Sequence, residues 1–298
     1  MYSKIILRSL VSKMKVDILK TANFEITINT SDPQFYLLNN KMIDALKEIY
    51  SGFDDLLNLK IFIKRNKKSR ISRDLIKLID LINKRDPSWH PLCGSLYFIL
   101  TSMQTLKKEN FLAYRSFLRD IKKQSTSQSW KGLQFEIVTA RGLTSKSISF
   151  IKSESPDFEI DYEGENIFIE CGSARVDSDK NKPLEYKIEN AINKKNKKPY
   201  SNANTCLFLD ITNIAHHDIY NERFSYFETL CKNIESRTDI KFGAILLLIT
   251  FSEKNGYGES YKVIKSLNCS KLLNKFLDIN FPKGTFLLDE SKKVPPSI

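Results

Sequence analysis

The chain has 298 residues, room for one large domain or two ordinary ones, and its 41% hydrophobic and 28% charged residues exclude disordered and collagen-like classes. Lys and Arg exceed Asp and Glu by 47 to 35, a formal charge of +12, which favours polyanionic partners, nucleic acid ahead of a membrane surface. Five scattered cysteines, with no CxxC and no zinc-like Cys/His spacing, fit reduced thiols of a cytoplasmic protein.

In chain order, residues 1–20 carry apolar residues at helical spacing interrupted by lysines, which is not the pattern of a signal peptide. Residues 24–30 alternate and predict a short strand. Helical signals dominate as far as the polar break 122–129. They are clearest over 74–87, where Leu75, Ile76, Leu78, Ile79, Leu81 and Ile82 form one wide apolar face that Pro87 closes. Segments 40–60 and 95–122 are weaker versions of the same pattern. The basic run 64–73 reads either as a DNA-backbone contact or as a charged loop.

Beyond the break the pattern becomes mixed. A helix is expected through 130–142, capped by Ser127 or Ser129 and stopped by Gly142. Strands are expected at 147–152, 157–162 and 166–171, the last two joined as a hairpin by the turn 163–166. A lysine-rich helix follows over 183–198 with Pro183 in its first turn. Then come a strand at 205–212, a helix near 222–236 and a strand at 242–251. The apolar run 244–251 is too short to span a bilayer as a helix. This order predicts an α/β fold, a mixed sheet flanked by helices, preceded by a mainly helical region. The expected division is a helical region over 1–125 and an α/β domain over 126–298.

The chemistry concentrates in the hairpin. Phe158, Ile160 and Tyr162 point one way and Asp157, Glu159 and Asp161 the other, while Phe168, Glu170 and Gly172 share a face of the partner strand. Pairing can bring Asp157 and Glu170 together. Two carboxylates so placed repel one another, and a hard divalent cation relieves the repulsion. The alternative is an ordinary solvent-facing acidic hairpin.

These residues, in this order of elements, resemble the PD-(D/E)xK nuclease superfamily, the restriction-endonuclease-like fold. The matching positions are Glu136 on the leading helix, Pro156-Asp157, and Glu170-Cys171-Gly172; the likeness spans roughly residues 129–252. The resemblance implies a Mg²⁺ (or Mn²⁺) ion held by Asp157, Glu170 and the Cys171 carbonyl, with Glu136 orienting water. It also implies hydrolysis of nucleic acid, DNA ahead of RNA, in restriction or defence against foreign DNA; a homodimer is left open. The superfamily's lysine should stand at 172, where this chain has glycine. A lysine from the following helix is expected to substitute: Lys187 or Lys194, seven apart and on one helix face. Lys195, Lys197 and Lys198 are assigned to phosphate contacts. The rival reading is a non-catalytic nucleic-acid-binding or assembly protein on a degenerate nuclease fold. His216 and His217 are read as loop surface, with a metal or general-base role as the alternative. Asp210 is either an auxiliary acid of the site or a locally hydrogen-bonded core carboxylate.

Overall fold

The computed structural model describes residues 16–20, 25–29, 39–58, 69–84, 86, 88–123, 127–176, 181–220, 227–253 and 256–282. The described residues up to 108, with 117–130, form one compact unit; residues 109–116 and those from 131 onward form a second.

The first unit pairs β1 (Val16–Lys20) antiparallel with β2 (Glu25–Asn29) and carries α1 (Asn39–Leu57), α2 (Arg70–Lys84) and α3 (Trp89–Glu109). Its core takes Ile49 and Phe53 from α1, Leu75 and Leu78 from α2, and Leu96, Leu100 and Met103 from α3. These are the helical spacings visible in the sequence. Ile76, grouped there with the apolar face of α2, is exposed. Pro87 and residues 64–68 of the basic run lie outside the described residues.

Helices α4 (Phe111–Lys123) and α5 (Ser127–Ser145) lead into the second unit. There follow β3 (Ile151–Lys152), β4 (Phe158–Tyr162), β5 (Glu165–Ser173), α6 (Leu184–Asn196), β6 (Thr205–Asp210), α7 (Thr212–Tyr220) and α8 (Phe227–Glu235). β7 (Ala244–Glu253), β8 (Gly256–Lys265) and α9 (Lys271–Asn280) complete it. The six strands β3 to β8 lie in sequence order in one mixed sheet. β5, β6 and β7 are parallel, and β3, β4 and β8 join them antiparallel at the two edges. An α/β fold is therefore what the sequence forms.

Alternation decides which helices cover which face. Leu207, Leu209, Ile245 and Leu247 bury against Ile188 and Ile192 of α6, Ile214 of α7 and Leu230 and Ile234 of α8. A β5-α6-β6-(α7, α8)-β7 path with its helices on one face is the expected form of parallel crossovers. On the other face Tyr162 meets Phe276 of α9 edge to face at 5.3 Å, and Phe150 meets Phe158 at 5.2 Å. Each fully buried Leu or Ile of these layers contributes about 1.5–3 kcal/mol.

The hairpin turn is shorter than the expected 163–166, since Glu165 and Asn166 already belong to β5. Glu163 and Gly164 take φ of 56° and 84°, two left-handed residues between Tyr162 and Glu165, the geometry of a two-residue loop that matches strand twist. Several boundaries differ from expectation: the strand expected over 205–212 ends at Asp210, and Thr212 already begins α7. α5 runs past Gly142 to Ser145 and ends where Ser147 adopts φ of 58°, so the strand expected over 147–152 shortens to Ile151–Lys152. β8 and α9 have no counterpart among the elements expected from the sequence; α9 is capped by Ser270, whose Oγ accepts from the Leu273 N–H at 3.0 Å.

Candidate active site

The site forms where β4 begins, beside the C-terminal half of β5. Phe158 pairs with Ile169, so Asp157 comes level with Glu170 just before the strand starts. β5 alternates strictly. The Phe168 N–H points toward β6, donating to Asn204 O at 3.0 Å, so the N–H and carbonyl of Ile169 and of Cys171 point toward β4. Opposite Cys171, however, β4 has not yet begun. The Asp157 side chain fills the gap: its Oδ2 accepts the Cys171 N–H at 2.7 Å. The Cys171 carbonyl points to the same unpaired edge, while its sulfur lies on the other face, 3.7 Å from Thr139 Oγ1 of α5. Burial, with the Asp157 and Glu136 carboxylates, holds that thiol protonated.

Glu170 is the buried member. Its side chain is 4% exposed; Oε1 pairs with the Lys195 amine, and Oε2 is buried with no hydrogen-bond partner. An orphaned carboxylate oxygen is costly in such a place.

The lysine at Glu170 is therefore Lys195, assigned beforehand to phosphate contact, and not Lys187 or Lys194. The Lys187 amine donates to the Val176 carbonyl instead, and Lys187 sits two turns earlier, about 12 Å back along the axis. Lys194 is exposed, as are Lys197 and Lys198. The inward stripe of α6 passes through Ile188 and Ile192, and Lys195 continues it at i+7; Lys194 is one residue, about 100° of helix, off that stripe. A Cβ at Gly172 would stand 3.5 Å from Lys195 Cε and 3.3 Å from Leu209 Cδ1. The lysine stem thus covers the space that a side chain at 172 would enter.

On the opposite face Glu136 of α5 pairs with Lys152 of β3, Oε2 to Nζ at 3.1 Å. Asp157, at the open end between the two faces, feels both pairs. Its carboxyl is pushed up to about 7, first by burial, then by the Glu136 and Glu170 charges; the Cys171 N–H and Lys195 oppose this. Near neutral pH a proton on Asp157 offsets the unbalanced charge of three carboxylates against two lysines. Burial alone would lower the Lys195 amine, but the Glu170 and Asp157 carboxylates outweigh it and hold the ammonium charged. Tyr200, unnoticed in the sequence, lies half-buried beside them; burial, then Glu170, raises its phenol, so it remains a donor.

The remaining candidates lie elsewhere. Asp210 Oδ1 accepts from the Thr212 N–H at 2.9 Å, at the start of α7. His216 and His217 are on helix α7 rather than on a loop, and His217 is exposed.

Among the described residues no three His, Cys, Asp or Glu side chains form a ready-made metal cage. Two carboxylates and an unpaired carbonyl edge are an oxygen-only set, which suits Mg²⁺ or Mn²⁺ keeping several waters rather than zinc. The orphaned Glu170 oxygen and the protonated Asp157 are what such a cation would relieve. No described helix is long and apolar enough to cross a membrane. Comparison with protein-family models, curated proteins and solved structures finds no match to the chain.

Proposed function

We propose that the second unit is a restriction-endonuclease-like domain and that the protein is a Mg²⁺- or Mn²⁺-dependent nuclease of the PD-(D/E)xK kind, acting on DNA. The observation that carries this is the buried, unpartnered Oε2 of Glu170 beside Asp157, a pair of carboxylates that a divalent cation would hold together. Asp157, Glu170 and the Cys171 carbonyl would hold the ion. When bound, it supplies charge neutralisation at the phosphate and activation of water.

The chain's own groups do the rest. The Cys171 N–H fixes the Asp157 carboxylate through Oδ2. Lys195 anchors Glu170 Oε1 and brings a positive charge to where charge builds on the phosphate in the transition state. Glu136 orients the attacking water. Exposed Lys197 and Lys198, just beyond α6, meet the DNA backbone through salt-dependent contacts. A role in defence against foreign DNA follows from fold-level analogy alone.

The test is nicking of supercoiled plasmid with Mg²⁺ or Mn²⁺. The wild type should cleave, and Asp157→Ala and Glu170→Ala should not, with the fold intact by circular dichroism. DNA binding without cleavage in the wild type would favour the second reading, a non-catalytic nucleic-acid-binding protein on a degenerate nuclease fold. Gly172 is the residue that speaks for that reading.

A further inference from the structure

We propose that Lys152 is a further positioning residue of this site, holding the Glu136 carboxylate in place on the α5 face beside the start of β4. The inference rests on the nuclease reading above and names a residue that reading does not require.

β3 is only two residues long, yet it places Lys152 opposite Phe158, the residue after Asp157. Alternation puts Lys152 on the α5 face, with Phe158 and the Cys171 sulfur. There its amine meets Glu136 Oε2 at 3.1 Å, with side-chain exposures of 10% and 21%. The short strand is tied to the same point by its exit: the Ser153 N–H donates to the Asp157 carbonyl at 3.0 Å. α5 is anchored by buried Leu133, Ile137 and Ala140, so Glu136 sits on a fixed edge and only its side chain has freedom.

Stability does not call for this arrangement. A lysine and a glutamate taken largely out of water lose about as much in desolvation as they gain in attraction, and apolar residues of similar volume serve as well. The pair has a reason where Glu136 must stand near the Asp157 carboxylate, whose charge repels it. Without the Lys152 amine, Glu136 loses an ion pair that opposes this repulsion. Asp157 and Glu170 would still bind a cation, but the glutamate that orients water would be misplaced.

The experiment compares plasmid nicking by the wild type, Lys152→Met, Lys152→Arg, Glu136→Gln and the double variant Lys152→Met/Glu136→Gln, with Mn²⁺ binding and melting temperature measured on each. Lys152→Met should lower kcat about 10- to 100-fold with KM and Mn²⁺ affinity unchanged; it should also melt earlier, because only one side of a largely buried pair is removed, and the double variant should recover that loss. Lys152→Arg should recover activity to within about threefold of wild type, and Lys152→Met should cause no further loss in the Glu136→Gln background. Additive losses, an unchanged kcat in Lys152→Met, a Lys152→Met variant that loses Mn²⁺, or a double variant that melts as early as Lys152→Met would each overturn the proposal. If the wild type itself neither cleaves nor binds Mn²⁺, the nuclease reading has failed; additive losses in an active wild type refute only the role of Lys152.

Discussion

Two lysine–carboxylate groupings on the same unit differ in a way that separates function from decoration. At the start of β4 the carboxylates of Glu170–Lys195 and Glu136–Lys152 are withdrawn from water, 4% and 21% exposed, while the lysines are 30% and 10% exposed. Around α9, Lys265–Asp278 and Lys275–Glu163 are open, each member being one-third to one-half exposed. The chemistry of the pairs is the same. In the open pairs solvent screens the charges, and such pairs contribute little. At the site the buried carboxylate is expensive, so it persists only where something beyond stability uses it. Burial, rather than pairing, marks the site.

The contrast breaks most visibly in activity. Lys195→Met should reduce cleavage by about 100- to 1,000-fold, as loss of a transition-state charge partner does, whereas Lys275→Met should leave it unchanged in the same plasmid assay. Equal effects would erase the distinction. Moving the lysine sharpens it. In Gly172→Lys/Lys195→Ala the amine returns to the strand position beside Glu170, and the vacated stem leaves room beside residue 172, with Leu209 yielding a few tenths of an ångström. Cleavage should rise at least about tenfold over Lys195→Ala alone.

A smaller effect appears in stability. An acid whose folded pKa is raised from 3.8 to about 7 favours the folded state fully below pH 3.8, and that contribution is lost as pH rises through 7. Metal-free Asp157→Asn escapes the loss. It should therefore be more stable than wild type at pH 8, by roughly 2–4 kcal/mol, and indistinguishable at pH 4, in urea melts at the two pH values. A variant less stable at pH 8 would show that Asp157 is not strained in the apo site. The smallest effect belongs to the exposed lysines. Lys197→Ala with Lys198→Ala should reduce the slope of log affinity against log salt by about 1.4–1.8, measured by fluorescence anisotropy on duplex DNA, with metal binding untouched.

What the sequence disclosed and what it hid follow the same physics. The hairpin, the mixed sheet and the shared face of Asp157 and Glu170 were legible, because a period of two decides which residues share a face; the two-residue turn that sets the register was not. The lysine was misplaced because like spacing was compared between Lys187 and Lys194, while the helix is oriented by Ile188 and Ile192; following that stripe leads to Lys195. Lys152 and Tyr200 gave no signal, since a lone lysine on a two-residue strand and a tyrosine after a lysine run look like surface. Their neighbours come from distant segments, 16 residues away for Glu136 and 30 for Glu170, and only the folded chain brings them together.

The most direct test of the account is a Mn²⁺ titration at pH 8, followed by electron paramagnetic resonance, on the wild type, Asp157→Ala, Glu170→Ala and Lys275→Met. The account predicts saturable binding in the wild type and in Lys275→Met, and its loss in Asp157→Ala and in Glu170→Ala with both variants folded. A wild type that binds no Mn²⁺, or carboxylate variants that bind it as the wild type does, would contradict it.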